Sequence, residues 1–337
     1  MRPRMVCFGL IALAGLAVDT PARAADFDKY LPESSAIYVQ IHLPHMFNSQ
    51  MVRKAVPMAF DKYGDQLVGM IGMAKGLPNV PEIPEEQAKD AIKNMAKPET
   101  IAQAFDQAKN FISDVIVAGD PEVADGKNMV FLVKSKFINA QMVEMVSGMA
   151  RQAPQVKIDS KKVEKGTLYT VKVPDQDQTI YITVPETGIL LIAMNEKLAE
   201  EALARVDSTA KPKFAAGLAE QITKRNPNDF VFVAGRPNDP AKAEHMESMV
   251  AHVVLDKDLS VQMTGKFTSE EEAKKHAEKA TENINSALAQ LQEMLGDKGG
   301  ELKAQLEKAK VTATGKTVEA NLAIPGAAVE KLLAKEK

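Results

Sequence analysis

The sequence has no tryptophan and one cysteine, and aromatic residues make up only 5% of its 337 positions. With so few rings, the interior must be filled by aliphatic side chains and by 17 methionines, whose unbranched thioethers fit irregular gaps. The lone Cys7 lies in the N-terminal apolar run, so the remainder of the chain offers no disulfide, no thiolate zinc site and no cysteine nucleophile. Neither charge sign dominates. Lys and Arg number 42 against 45 Asp and Glu, a net charge of −3, which provides no basic face for nucleic acid.

Specific catalytic motifs are missing as well. There is no G-x-S-x-G elbow and no H-E-x-x-H. Gly315-Lys316-Thr317 resembles the end of a phosphate-binding loop, but Lys310 stands where the first glycine belongs, and the stretch alternates as strand, turn, strand. It is read as a hairpin turn. His42 and His45 are spaced H-x-x-H across Pro44 with no third ligand nearby, and His276 falls on the wet side of its helix. No cofactor and no metal are expected from these residues.

What is present begins with an export signal. Arg2 and Arg4 precede the 13-residue apolar run Val6–Val18, and Ala22-Arg23-Ala24 is an A-x-A site, so cleavage is expected between Ala24 and Ala25. The run is shorter than the ~20 residues that span a bilayer, and no later run approaches that length. Loss of Arg2, Arg4, Arg23 and Asp19 moves the formal charge from −3 to −5. The expected location is periplasmic or secreted, with no membrane span after signal removal.

Further along, two β–α patterns recur at a constant offset of 130 residues. Leu259–Phe267 alternates as a half-buried strand, with Leu259, Val261, Met263 and Phe267 on one side. Ser269 and Glu272 then form a capping box for a helix whose stripe runs through Ala273, Ala277, Ala280, Ile284, Ala287, Leu291 and Met294. Met129–Phe137 matches that strand, Asn139 matches Ser269 as N-cap, and Met142, Met145, Val146 and Met149 lie on the helix after it. At the same offset, Ile180–Ala193 and the helix capped by Asn195 match Val311–Ile324 and the helix opened by Pro325. Two blocks keeping one offset indicate an internal repeat.

Strand candidates also fall at Ala36–Ile41, Val115–Ala118, Lys162–Val173 and Phe230–Ala234. In the first, Ile37, Val39 and Ile41 form the apolar side. If Ala36–Ile41 matches Phe230–Ala234, the first repeat carries an insertion: 92 residues separate Ile37 from Met129, but 29 separate Phe230 from Leu259. The inserted stretch, about 57–110, reads as helical. A helix over His45–Tyr63 is expected to be interrupted at Pro57, the Gly- and Met-rich stretch Gly64–Leu77 follows, and Glu85–Met95 and Pro98–Phe111 are two further helices.

The fold class expected is therefore α+β, two related units of antiparallel sheet packed with helices, the first with a helical insertion. The expected organisation is a signal peptide over 1–24, a first unit over 25–206 and a second over 213–337. Within the insertion, Leu67, Met70, Ile71 and Met73 cluster too many apolar groups to leave singly in water, and they are the candidate contact for a protein or lipid partner.

The chain also resembles a group of exported α+β proteins common in planctomycete-type bacteria. The residues that carry the likeness are Leu31-Pro32-Glu33-Ser34-Ser35-Ala36 after the signal, Ser113-Asp114-Val115-Ile116-Val117-Ala118-Gly119, Phe131–Phe137, and Phe230-Val231-Phe232-Val233-Ala234-Gly235. The resemblance implies a two-unit α+β architecture and no assigned activity, so it brings no site residues. The function expected is a non-enzymatic binding or structural module of the periplasm or cell envelope. The alternative is a hydrolase whose site is assembled from scattered residues.

Overall fold

The computed structural model describes residues 27–73, 84–120, 127–151, 157–172, 179–208, 214, 216–237, 239, 241, 243–295 and 300–334. The signal segment, with Ala24 and Ala25, lies outside them. In chain order the elements are a 3-10 turn Phe27–Tyr30, β1 Ile37–His42, α1 Leu43–Asn48, α2 Gln50–Met73, α3 Glu85–Met95, α4 Pro98–Ala108, β2 Asp114–Asp120 and β3 Asn128–Lys134. Then follow α5 Ala140–Ala150, β4 Lys157–Val163, β5 Gly166–Lys172, β6 Thr179–Glu186, β7 Ile189–Ala193, α6 Glu196–Ala204 and α7 Ala216–Ile222. The chain continues with β8 Val231–Gly235, β9 Met246–Leu255, β10 Asp258–Phe267, α8 Glu270–Leu295, α9 Gly300–Leu306, β11 Lys310–Thr314, β12 Thr317–Pro325 and α10 Gly326–Leu333. The class is α+β with antiparallel sheet, as the alternating strands imply.

Two compact units form, neither continuous in sequence. Unit 1 takes the described residues up to Leu43, Asn110–Pro227 and Val231–Ala251; unit 2 takes Pro44–Lys109, Asn228–Phe230 and His252–Lys337. This grouping cuts across the boundaries expected at 25–206 and 213–337. Helices α2, α3 and α4 group with the C-terminal elements, which α2 contacts directly. A Cβ on Gly326 would lie 3.3 Å from Met51 Cγ, Met51 N–H donates to Asp256 O at 2.9 Å, and Lys62 reaches the Leu332 carbonyl.

In unit 1 the strands run β8-β1-β2-β3-β7-β6-β5-β4. Register places Tyr38 opposite Ala118 and Ala234, Ile116 opposite Leu132, and Val130 opposite Ala193, so these residues share one face. That face is buried with Leu31, Leu198, Ala199, Ala202 and Leu218 from the N-terminal turn, α6 and α7. The sequence had placed Ile37, Val39 and Ile41 inward. They are only half-buried, whereas Tyr38 is fully buried. The strands are apolar on both faces, so alternation alone does not tell which face the helices cover. Tyr38 tolerates the interior because its hydroxyl has partners there.

Several other boundaries move. The expected strand Lys162–Val173 is a hairpin, β4–β5, turning before Gly166, and β3 stops at Lys134, leaving Phe137 stacked on Phe111 at 4.7 Å. The ten-residue β9 had no strand assigned to it in the sequence. In unit 2, α2 runs unbroken through Pro57, a buried residue whose ring packing offsets part of the roughly 3 kcal/mol that proline costs a helix. Gly64 lets α3 approach, since a Cβ there would lie 2.9 Å from Ile92 Cγ2. His276 is not on a wet face; its ring stacks on Phe267 at 4.5 Å. The Gly315-Lys316 turn joins β11 to β12, with Gly315 at φ +56°, a left-handed value that glycine adopts freely.

The 130-residue offset has a counterpart in strand register. In unit 1, Val130 pairs with Ala193, Phe131 with Ile192 and Lys134 with Ile189. In unit 2, Ser260 pairs with Ala323, Val261 with Leu322 and Thr264 with Glu319, each residue 130 further on. The helix starts correspond too. Asn139 Oδ1 accepts from Met142 N–H at 2.8 Å, and Ser269 Oγ accepts from Glu272 N–H at 3.1 Å. The hairpins differ: Tyr181 pairs with Ala193, but Val311 pairs with Ala320, three residues off the offset.

Candidate functional site

The most developed polar cluster sits at one end of the buried face of unit 1, where the strand pattern turns from apolar to polar. On β1, Tyr38, Gln40 and His42 are successive residues of that face, and β2 opens with Asp114 directly opposite His42. The register therefore brings together two groups 72 residues apart in sequence. His42 Nδ1 lies 2.8 Å from Asp114 Oδ1, and Gln40 Nε2 donates to the same oxygen at 2.8 Å. Only acceptors are offered by a carboxylate, so the Nδ1–H tautomer of His42 is the donor.

Arg225, three residues beyond α7, closes the other side. One guanidinium N–H group donates to Gln40 Oε1 at 2.6 Å and to Tyr38 Oη at 3.0 Å, and the Tyr38 hydroxyl donates to Gln40 Oε1 at 3.2 Å. The result is a continuous chain: Arg225, Tyr38 and Gln40 set the amide, the amide holds Asp114, and Asp114 holds His42. Both ends reach solvent, with Arg225 exposed and the His42 side chain 33% exposed, while Tyr38 and Asp114 between them are buried, the Asp114 side chain at 9%.

Electrostatics follow from this burial. For Asp114 the largest single influence is desolvation, which pushes its pKa up. The hydrogen bonds from His42 and Gln40 and the His42 charge outweigh it together, so the carboxyl titrates below its ordinary value. Tyr38 moves the other way, raised chiefly by burial and next by the charge of Asp28. A buried carboxylate orienting a partly exposed imidazole is an arrangement that general bases use. It is equally the way a fold satisfies polar groups at the end of a core. Unit 2 has a second such pair, His252 Nδ1 to Asp229 Oδ2 at 2.8 Å, with the Asp229 side chain 2% exposed.

The residues proposed from sequence fall elsewhere. Leu67, Met70, Ile71 and Met73 lie in the C-terminal part of α2, and their side chains are outside the described residues; Val68 beside them is buried. His42, which the sequence pairs only with His45, is instead the partly exposed histidine end of the polar chain. Only the strand register pairs it with Asp114, and local sequence carries no such signal. Among the described residues, no group of three His, Cys, Asp or Glu side chains is placed to hold a metal ion, and no helix is long and apolar enough to cross a membrane.

A different surface stands out on α5. Its buried side carries Val143 and Ser147, while Met145 and Met149, one turn apart, are 54% and 44% exposed. Comparison with known proteins returns no family model, no curated relative and no solved structure that matches this chain.

Proposed function

We propose that this chain is an exported, non-enzymatic binding module of the periplasm or cell envelope, assembled from two copies of one strand–helix–hairpin–helix unit. The observation that carries the binding reading is the exposed methionine pair of α5. A protein that exposes two large thioethers side by side on a well-capped helix keeps them wet for a contact. Support for duplication comes from the strand pairs that repeat at 130 residues and from N-caps at Asn139 and Ser269. Export rests on the apolar run and A-x-A site at the N-terminus. The apolar cluster Leu67, Met70, Ile71 and Met73 remains a proposed second contact, for a protein or a lipid.

The alternative, a hydrolase, draws on the His42–Asp114 pair. One experiment separates the two readings. Purified protein, His42→Asn and Asp114→Asn are assayed against ester, phosphoester, glycoside and peptide substrates. The binding reading expects no turnover above the blank in any of the three. Turnover by the parent that disappears in both variants, with their circular dichroism unchanged, would replace it with the hydrolase.

A further inference from the structure

Met142, Met145 and Met149 occupy positions i, i+3 and i+7 of α5, a spacing that brings three side chains onto one helical face. Met145 and Met149 are two of the four large apolar side chains exposed to this degree among the described residues, and Met142 is half-buried beside them. Nothing in helix formation calls for methionine here. Lysine or glutamate would propagate the helix as well and leave no apolar surface in water.

The scaffold under the three sulfurs is fixed at both ends. Asn139 caps the first turn through Met142 N–H. Beyond the last turn, Arg151 donates to Ile158 O at 3.1 Å and to Ser160 Oγ at 3.2 Å, tying the helix end to β4. Backbone order is thus in place before any ligand arrives, and only the flexible methionine side chains need to converge.

A thioether is a neutral, soft donor. It binds hard ions such as Mg²⁺ or Ca²⁺ poorly and favours soft, monovalent ions such as Cu(I). Three of them on one helical face can supply a trigonal sulfur set without a thiolate, in a chain whose single cysteine is Cys7. We propose that Met142, Met145 and Met149 form a binding site for one soft monovalent cation, Cu(I) or its analogue Ag(I). The inference rests on the binding-module reading and names the ligand class for it.

The test uses protein labelled with ¹³C at the methionine methyl groups and titrated with Ag(I), an air-stable probe. Three methyl resonances should shift together and reach an end point at one equivalent, and Met142→Leu, Met145→Leu and Met149→Leu should each remove one of them. Leucine keeps helix propensity and similar volume, so the melting temperature of Met145→Leu/Met149→Leu should stay that of the parent. Its Ag(I) affinity, and its Cu(I) affinity in competition with a chromogenic chelator, should fall at least about tenfold. Zn²⁺ and Mg²⁺ should move none of the three signals. The proposal is overturned if no methyl responds at one equivalent, or if the double variant binds Ag(I) as the parent does. Neither result depends on the substrate assays above, so the site and the binding reading fail independently.

Discussion

His42 and Asp114 are direct register partners across β1 and β2, and the imidazole Nδ1 stands 2.8 Å from a carboxylate that is nearly buried. The folded state therefore favours the charged form of Asp114, whose pKa lies below its ordinary value. A group depressed on folding contributes stability that is fully present above its unfolded pKa of about 4 and is lost as pH falls through the lower folded value. Asp114→Asn should lose about 2 kcal/mol near pH 7, and its stability should fall less steeply than that of the parent as pH drops below about 4. Urea unfolding across that range checks this. Parallel curves for the two proteins would mean that Asp114 is not the group responsible.

Gly119, the penultimate residue of β2, sits at φ +149°, and a Cβ there would lie 2.0 Å from the Asn128 carbonyl oxygen and 2.8 Å from Met129 Cα. Both obstacles are backbone, so no side-chain rotation relieves them. Gly119→Ala should cost about 3 kcal/mol or more, by forcing β2 and β3 apart. Gly148→Ala, where a Cβ meets no atom within 4 Å, serves as the control and should be neutral or slightly stabilising. Equal melting temperatures for Gly119→Ala and the parent would contradict the packing described.

The proposed duplication predicts matched energetics at matched caps. Asn139→Ala and Ser269→Ala each remove an acceptor from an N–H three residues on, and each should cost about 1 kcal/mol. Chemical denaturation of both variants measures this. A loss at one site and none at the other would show that the two helix starts do not play the same role.

Much of this fold was legible because local chemistry specifies it. The caps at Asn139, Asn195 and Ser269, the helix starts at Glu85, Pro98 and Glu270, and the Gly315 turn all depend on residues within a few positions of one another. The 130-residue offset was visible in sequence as well, and the pairing of β3 with β7 and β10 with β12 follows it. Other features needed the tertiary structure. Which face of β1 is buried depends on what packs against it, since both faces carry large side chains. Pro57 stays within α2, although its missing N–H argues for a break. The polar chain from Arg225 to His42 joins three stretches of sequence, and Gln40 and Asp114 each look unremarkable until register brings them together. On α5 the methionines were visible but their exposure was not, because the same spacing describes a buried stripe.

Export is the claim on which location in the periplasm or cell envelope depends. Intact-mass analysis of the protein recovered from the envelope or periplasmic fraction of its own cells tests it most directly. The account predicts a mass that begins at Ala25, with Cys7 removed. A mature protein that retains Cys7, or one recovered only with the cytoplasmic fraction, would contradict it.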